Sequence, residues 1–229
     1  MVTISLDISL RSTAMVIYNS EYNSYKYFSY IIANEKNKWV TQLSNIVNFR
    51  FYMSNISRDY TENEIMKLML YNKIATDLVS DIINENNNCK KNVILEGYSY
   101  LSVGPLIDLV TIGSIIRSRV IQLADIVEFM IVAPKTLKTK TCRLVYGYEE
   151  IIVGKRKKKL VERDNSNHQG IIGNNFKKEH MVQALIDSKY DDIFSMWVKD
   201  NINSISMKNI PKPIDDIVDA MFLNKIYNG

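Results

Sequence analysis

Apolar and polar residues alternate from the first residues onward. Val2-Thr3-Ile4-Ser5-Leu6-Asp7 has the two-residue period of a β-strand and ends on an acid. Thr13–Tyr18 reads as a strand returning across a polar turn, and Tyr25–Ala33 as a third, so the chain is expected to open with an antiparallel meander. Residues 34–61 are polar and give no assignment. Thr61-Glu62-Asn63-Glu64 has the spacing of a capping box. Behind it Ile65, Leu68, Met69, Ile74, Leu78, Val79 and Ile82 recur on one side of a helix running to about Asn84. Asn92–Glu96 is a short continuous apolar run that also ends on an acid, as expected of a buried strand reached through a helical crossover and therefore parallel to its neighbour.

Past a turn bearing Tyr98 and Tyr100, a helix is predicted over Val103–Ala124. Its apolar residues cover more than one face, which suits a central or interfacial helix. Glu128–Val132 reads as a strand, and Pro134 opens a helix carrying Lys135, Lys138, Lys140 and Arg143. A hairpin is expected next: strand 151–153, a basic turn Gly154-Lys155-Arg156-Lys157-Lys158-Lys159, and strand 160–162. An Asn- and Gly-rich loop over 164–175 precedes two helices, Lys177–Ser188 and Asp191–Asn201. After Pro211 and Pro213 a last helix begins, with Ile214, Ile217, Val218, Met221 and Phe222 at helical spacing. Strands and helices alternate, so the expected class is α/β with a mixed sheet in one domain, 1–229, interrupted by an insertion at about 142–176.

Composition changes this picture little. A hydrophobic share of 46% and a charged share of 24% over 229 residues are those of a globular protein able to bury a core. No apolar run approaches the ~20 residues of a membrane span, and no secretory leader is recognised, so a cytoplasmic protein is expected. Cys89 and Cys142 make neither a disulfide framework nor a zinc spacing. Richness in Asn, Ile, Lys and Tyr suits an AT-rich coding genome, such as that of a phage or virus, which would place the protein in a host cytoplasm. The net charge of +4 matters less than its clustering in the second half of the chain.

The chemistry lies in the acids. Asp7 and Glu96 each end a strand, where functional groups of open α/β sheets gather. The last helix adds Asp215, Asp216 and Asp219 near one face. First-turn acids favoured by the helix dipole would account for Asp215 and Asp216, but Asp219 lies deeper, among core-type residues. Four carboxylates meeting at one place need cations. Two divalent ions ~3.5–4 Å apart would satisfy them and support phosphodiester attack. Oxygen-only ligands favour Mg²⁺, with Mn²⁺ able to substitute.

The order of these residues resembles the RuvC-like Holliday junction resolvases of the ribonuclease H-like superfamily. The resemblance rests on Leu6-Asp7-Ile8-Ser9-Leu10-Arg11-Ser12-Thr13, Ile94-Leu95-Glu96, Val132-Ala133-Pro134 with Lys138, and Asp216-Ile217-Val218-Asp219-Ala220, which together span nearly the whole chain. It departs from the family at Ala14, where a glycine is usual, and over 142–176, which is longer than in compact members. The resemblance implies a ribonuclease H-like mixed central sheet flanked by helices, with the basic hairpin inserted. It also implies Asp7, Glu96, Asp216 and Asp219 as catalytic metal ligands, Asp7 bridging two ions, with Asp215 left as the helix cap.

The implied activity is Mg²⁺-dependent, structure-selective endonucleolytic cleavage of Holliday junctions or other branched DNA by a homodimer, with the 103–124 helix as a dimer element. Tyr98 or Tyr100 would stack on bases. Lys135, Lys138, Lys140, Lys178 and the run Lys155, Arg156, Lys157, Lys158 and Lys159 would meet phosphates. An actin-like or sugar-kinase ATPase would also begin strand-Asp-turn-strand, but eight glycines supply no phosphate loop. A non-catalytic basic DNA-binding protein is the remaining alternative.

Overall fold

The computed structural model describes residues 1–33, 38–54, 57–85, 89–98, 106–147 and 176–228, and the backbone of 149–153 and 157–161. Strands β1 (Val2–Asp7), β2 (Ser12–Asn19) and β3 (Ser24–Ile32) form the expected antiparallel meander. Helix α1 (Lys38–Leu43) and strand β4 (Val47–Tyr52) follow, in a stretch whose polar pattern predicts no element. β4 pairs parallel to β3 at the sheet edge, and Val47-Asn48-Phe49-Arg50-Phe51 has the two-residue alternation of a half-exposed strand, a signal overlooked within a stretch that is polar as a whole. Helix α2 (Tyr60–Glu85) crosses over to β5 (Lys91–Glu96), and α3 (Leu106–Val120) crosses to β6 (Ile126–Val132). β5 runs parallel to both β1 and β6. The sheet order β4-β3-β2-β1-β5-β6 is the mixed central sheet expected from the sequence.

Helices cover both faces. On one side α2 and α3 pack on Val2, Ile4, Leu6, Met15, Val93 and Leu95. On the other, α4 (Pro134–Tyr146), α5 (Lys178–Asp187), α6 (Ile193–Asp200) and α7 (Ile214–Asn228) enclose Ala14, Val16, Tyr27 and Ile94. Successive residues of a strand take opposite faces, and β1 shows why this matters. Its apolar set goes to α2 and α3, which leaves Thr3, Ser5 and Asp7 facing α7.

Three local expectations need correction. The cap of α2 is Asp59, whose carboxylate accepts from the Glu62 backbone N–H at 2.8 Å, not Thr61; an Asp earlier in the chain takes the same role. The front of α2 is not core: Ile65, Leu68 and Met69 are exposed, and burial begins at Tyr71 and Ile74, where the helix reaches the sheet. The basic hairpin exists, with β7 (Glu149–Val153) and β8 (Lys157–Val161) antiparallel. Pairing of Val153 with Lys157 places Lys157, Lys158 and Lys159 in a strand rather than in the turn. Lys155, Arg156 and Tyr100 lie outside the described residues, as does most of the expected 142–176 insertion. No helix among the described residues is long and apolar enough to cross a membrane.

Candidate metal centre and flanking cleft

Helix α7 is the element on which the centre depends. Every residue from Ile214 to Asn224 is buried, so it runs as a central helix rather than a half-exposed one. Its register on β1 is set by a polar seam. The buried Asn224 amide donates to the Thr3 carbonyl at 3.1 Å and to Ser5 Oγ at 3.3 Å, and Thr3 Oγ1 donates to Asn228 Oδ1 at 2.6 Å. Two residues along β1 from Ser5 to Asp7 cover roughly 6.6 Å, and five along α7 from Asn224 to Asp219 cover roughly 7.5 Å. The two rises nearly match, so fixing Asn224 at Ser5 delivers Asp219 to Asp7. β5 does the same for Glu96, since its parallel register aligns Leu95 with Leu6 and leaves the next residue of each strand at the same sheet end.

Asp7, Glu96 and Asp219 therefore converge, each offering a carboxylate oxygen within 4.8 Å of the others. Burial and then the charge of Asp7 push the Asp219 carboxyl up to about 7. Burial, then Asp7 and Asp219, raise Glu96 well above the usual carboxylate range, and Lys138 acts in the opposite sense.

Asp216 lies outside this group of three. It is fully buried, its Oδ1 accepts from Lys212 Nζ, and its Oδ2 is buried without a hydrogen-bond partner. Burial raises its carboxyl strongly, even against the positive charge of Lys212. Asp215 is not a cap. It sits inside the first turn of α7, 4% exposed, and takes ion pairs from Lys178 at 2.6 Å and Lys212 at 3.2 Å, while its Oδ1 is also unpartnered. The first helical hydrogen bond instead goes from the Ile217 N–H to the Pro213 carbonyl, which leaves Asp215 to the lysines. Burial opposes the charge of both lysines, yet Asp215 and Asp216 hold their ammonium groups above the ordinary range.

The predicted DNA-contacting residues separate. Lys138 and Lys178 border the acids and also line a cleft of about 430 Å³ with Phe176, Lys177, Lys208 and Asn209. Lys135 is exposed one turn earlier on α4. Lys140 goes elsewhere: its Nζ donates to Tyr227 Oη at 3.0 Å and lies 4.1 Å from that ring, roughly 16 Å along α7 from Asp216. Tyr98 is held against α3. Its ring faces the Arg117 guanidinium at 4.0 Å, its Oη donates to the Val110 carbonyl at 3.3 Å, and it covers Gly113, where a Cβ would come within 2.1 Å of Oη.

Sequence reasoning missed Lys177, Lys208, Asn209 and above all Lys212. A signal for Lys212 exists, since it stands three and four residues before Asp215 and Asp216, but the prolines around it make it read as a linker. The donor set suits a hard divalent cation, being oxygen-only, with three convergent carboxylates and two orphaned buried carboxylate oxygens close by.

No family model matches the chain, and no curated protein matches it. Among solved structures it is similar to RuvC of Thermus thermophilus, at 8% identity over 100% of this chain and 95% of that one, with a TM-score of 0.42. It is also similar to Ydc2, the yeast mitochondrial Holliday junction resolvase, at 10% identity over 98% of this chain and 76% of that one, with a TM-score of 0.49.

Proposed function

We propose that the chain is a divalent-metal-dependent endonuclease acting on branched DNA, four-way junctions first among them. The observation that carries this reading is the meeting of Asp7, Glu96 and Asp219 from β1, β5 and α7, beside a lysine-lined cleft. Three acids that repel one another in a buried place are unfavourable unless a cation is part of the design. Mg²⁺, or Mn²⁺ in its place, held by these residues would polarise a phosphodiester and lower the pKa of a water. In this reading Lys138 and Lys178, the latter by exchanging Asp215 for a phosphate, hold the DNA backbone across the acids, and Lys177 and Lys208 extend that hold along the cleft. The preference for branched DNA comes from the sequence resemblance, and a folded basic hairpin would add phosphate contacts.

A homodimer is part of the same proposal, because paired nicks across a junction need two sites related by a two-fold axis. Its support is an apolar surface shared by α2 and α3, where Ile65, Leu68, Met69, Ile107 and Val110 are exposed beside a cleft of about 450 Å³ containing Met53 and Met66. The deciding experiment incubates the protein with Mg²⁺ and synthetic four-way junction, fork, flap and linear duplex, alongside Asp7→Asn and Asp219→Asn. Junction cleavage should exceed linear-duplex cleavage and fall by orders of magnitude in both variants while junction binding persists. Wild-type cutting by both variants would remove the proposal.

A further inference from the structure

Lys212 holds Asp216, the late acid that the sequence resemblance implies as a ligand but that lies outside the convergent three. Asp216 is sealed from solvent, and its Oδ1 is already occupied by the Lys212 ammonium. Lys212 also pairs with Asp215, and its charge reaches Asp7. Its side chain is 33% exposed, so its long stem has a route to water, whereas Asp216 has none. Five carboxylates (Asp7, Glu96, Asp215, Asp216 and Asp219) interact electrostatically with three ammonium groups (Lys138, Lys178 and Lys212). With all eight ionised, two negative charges remain, which one divalent cation neutralises. A second ion placed beside Asp216 with Lys212 still there would leave the cluster two charges positive in a buried setting.

We propose that Lys212 is a built-in counter-cation: the centre takes one divalent ion tightly on Asp7, Glu96 and Asp219, and a second enters only by displacing Lys212 from Asp216. Once Lys212 has withdrawn, Asp216 offers the incoming ion both the Oδ1 it held and the already unpartnered Oδ2. Lys212 is thus a positioning residue that sets metal stoichiometry, and its displacement makes the second site conditional on whatever supplies the exchange, such as a DNA phosphate drawing the ammonium away. The inference rests on the metal-nuclease reading and modifies the sequence-based expectation of two ions at the centre.

The test counts Mn²⁺ on the full chain by electron paramagnetic resonance of the free ion, with no DNA present. Wild type should bind one ion in its tight class, and Lys212→Gln two, the second at least about tenfold tighter than any second ion of the wild type. Asp216→Asn should keep the single tight ion within about threefold of wild type. It also decides the matter if Lys212→Gln does not fold, since a centre that used Asp216 for a resident ion would lose that ion. Two equivalent ions on the wild type, or an unchanged count of one in a folded Lys212→Gln, would overturn the inference and leave the nuclease proposal standing. No Mn²⁺ binding by the wild type would overturn both.

Discussion

Asp219→Asn tests the electrostatic design of the centre without any assay of cleavage. The carboxyl titrates at about 7 in the folded chain against an ordinary 3.8, because it is buried and faces Asp7. The folded state therefore holds this proton more tightly than the unfolded state. Stability from this group is full below pH 3.8 and is lost as the pH climbs to about 7. Between pH 5 and pH 7, where the carboxyl is half titrated at the upper end, the loss is about 1.7 pH units at 1.36 kcal/mol each, so roughly 2.3 kcal/mol. Asn has the same shape and no such proton, so the metal-free variant should escape that part of the decline. For a chain of this size, 1 kcal/mol moves the melting temperature by ~2–4 °C, so the variant should melt roughly 5–10 °C higher relative to wild type at pH 7 than at pH 5. The assay is thermal unfolding in EDTA across that range, repeated with saturating Mg²⁺. The ion should stabilise wild type at pH 7 and do so far less in the variant, which lacks a ligand. Parallel pH dependences in EDTA, or equal Mg²⁺ shifts, would refute the reasoning.

Asp215→Asn reads as harmless if Asp215 is a cap, since Asn caps a helix about as well. With Asp215 buried against Lys178 and Lys212, the substitution should cost ~1–2 kcal/mol in urea unfolding, since Lys178 is half exposed to solvent and Lys212 keeps Asp216. Gly113→Ala should gain up to about 1 kcal/mol of helix propensity but push the Tyr98 phenol off Arg117 and Val110, leaving little net change; in a Tyr98→Ala background the same substitution should show the gain in full, read by a double-mutant cycle. Replacing Lys155, Arg156, Lys157, Lys158 and Lys159 by Ser should weaken junction binding and lower the log–log salt slope by roughly 0.9 for each phosphate that is no longer neutralised. An unchanged slope would return that run to an ordinary solvated hairpin.

Local pattern was enough for most of the sheet and for the acids at its strand ends. The period-2 run ending in Asp7, the short apolar run ending in Glu96 and the post-proline helix with Asp216 and Asp219 are signals carried by a few neighbouring residues, and their order along the chain makes a mixed α/β sheet the simplest packing. The edge strand β4 was legible in the alternation of Val47, Phe49 and Phe51 with Asn48 and Arg50 but was lost in the polar stretch around it, and the cap of α2 was hidden because several polar residues compete for one position. The division of labour among the late acids was not available in one dimension at all. Asp215, Asp216 and Asp219 look alike on a helical wheel; tertiary structure separates them by where α7 meets β1 and where Lys178 and Lys212 reach back. That separation comes from the Asn224 seam, which fixes the height of α7 on the sheet, and from burial, which leaves each carboxylate to be satisfied by whichever positive group the fold brings within reach. Sequence spacing states which charges are neighbours along the chain, whereas only the packed helix decides which ones meet a lysine and which are left facing one another.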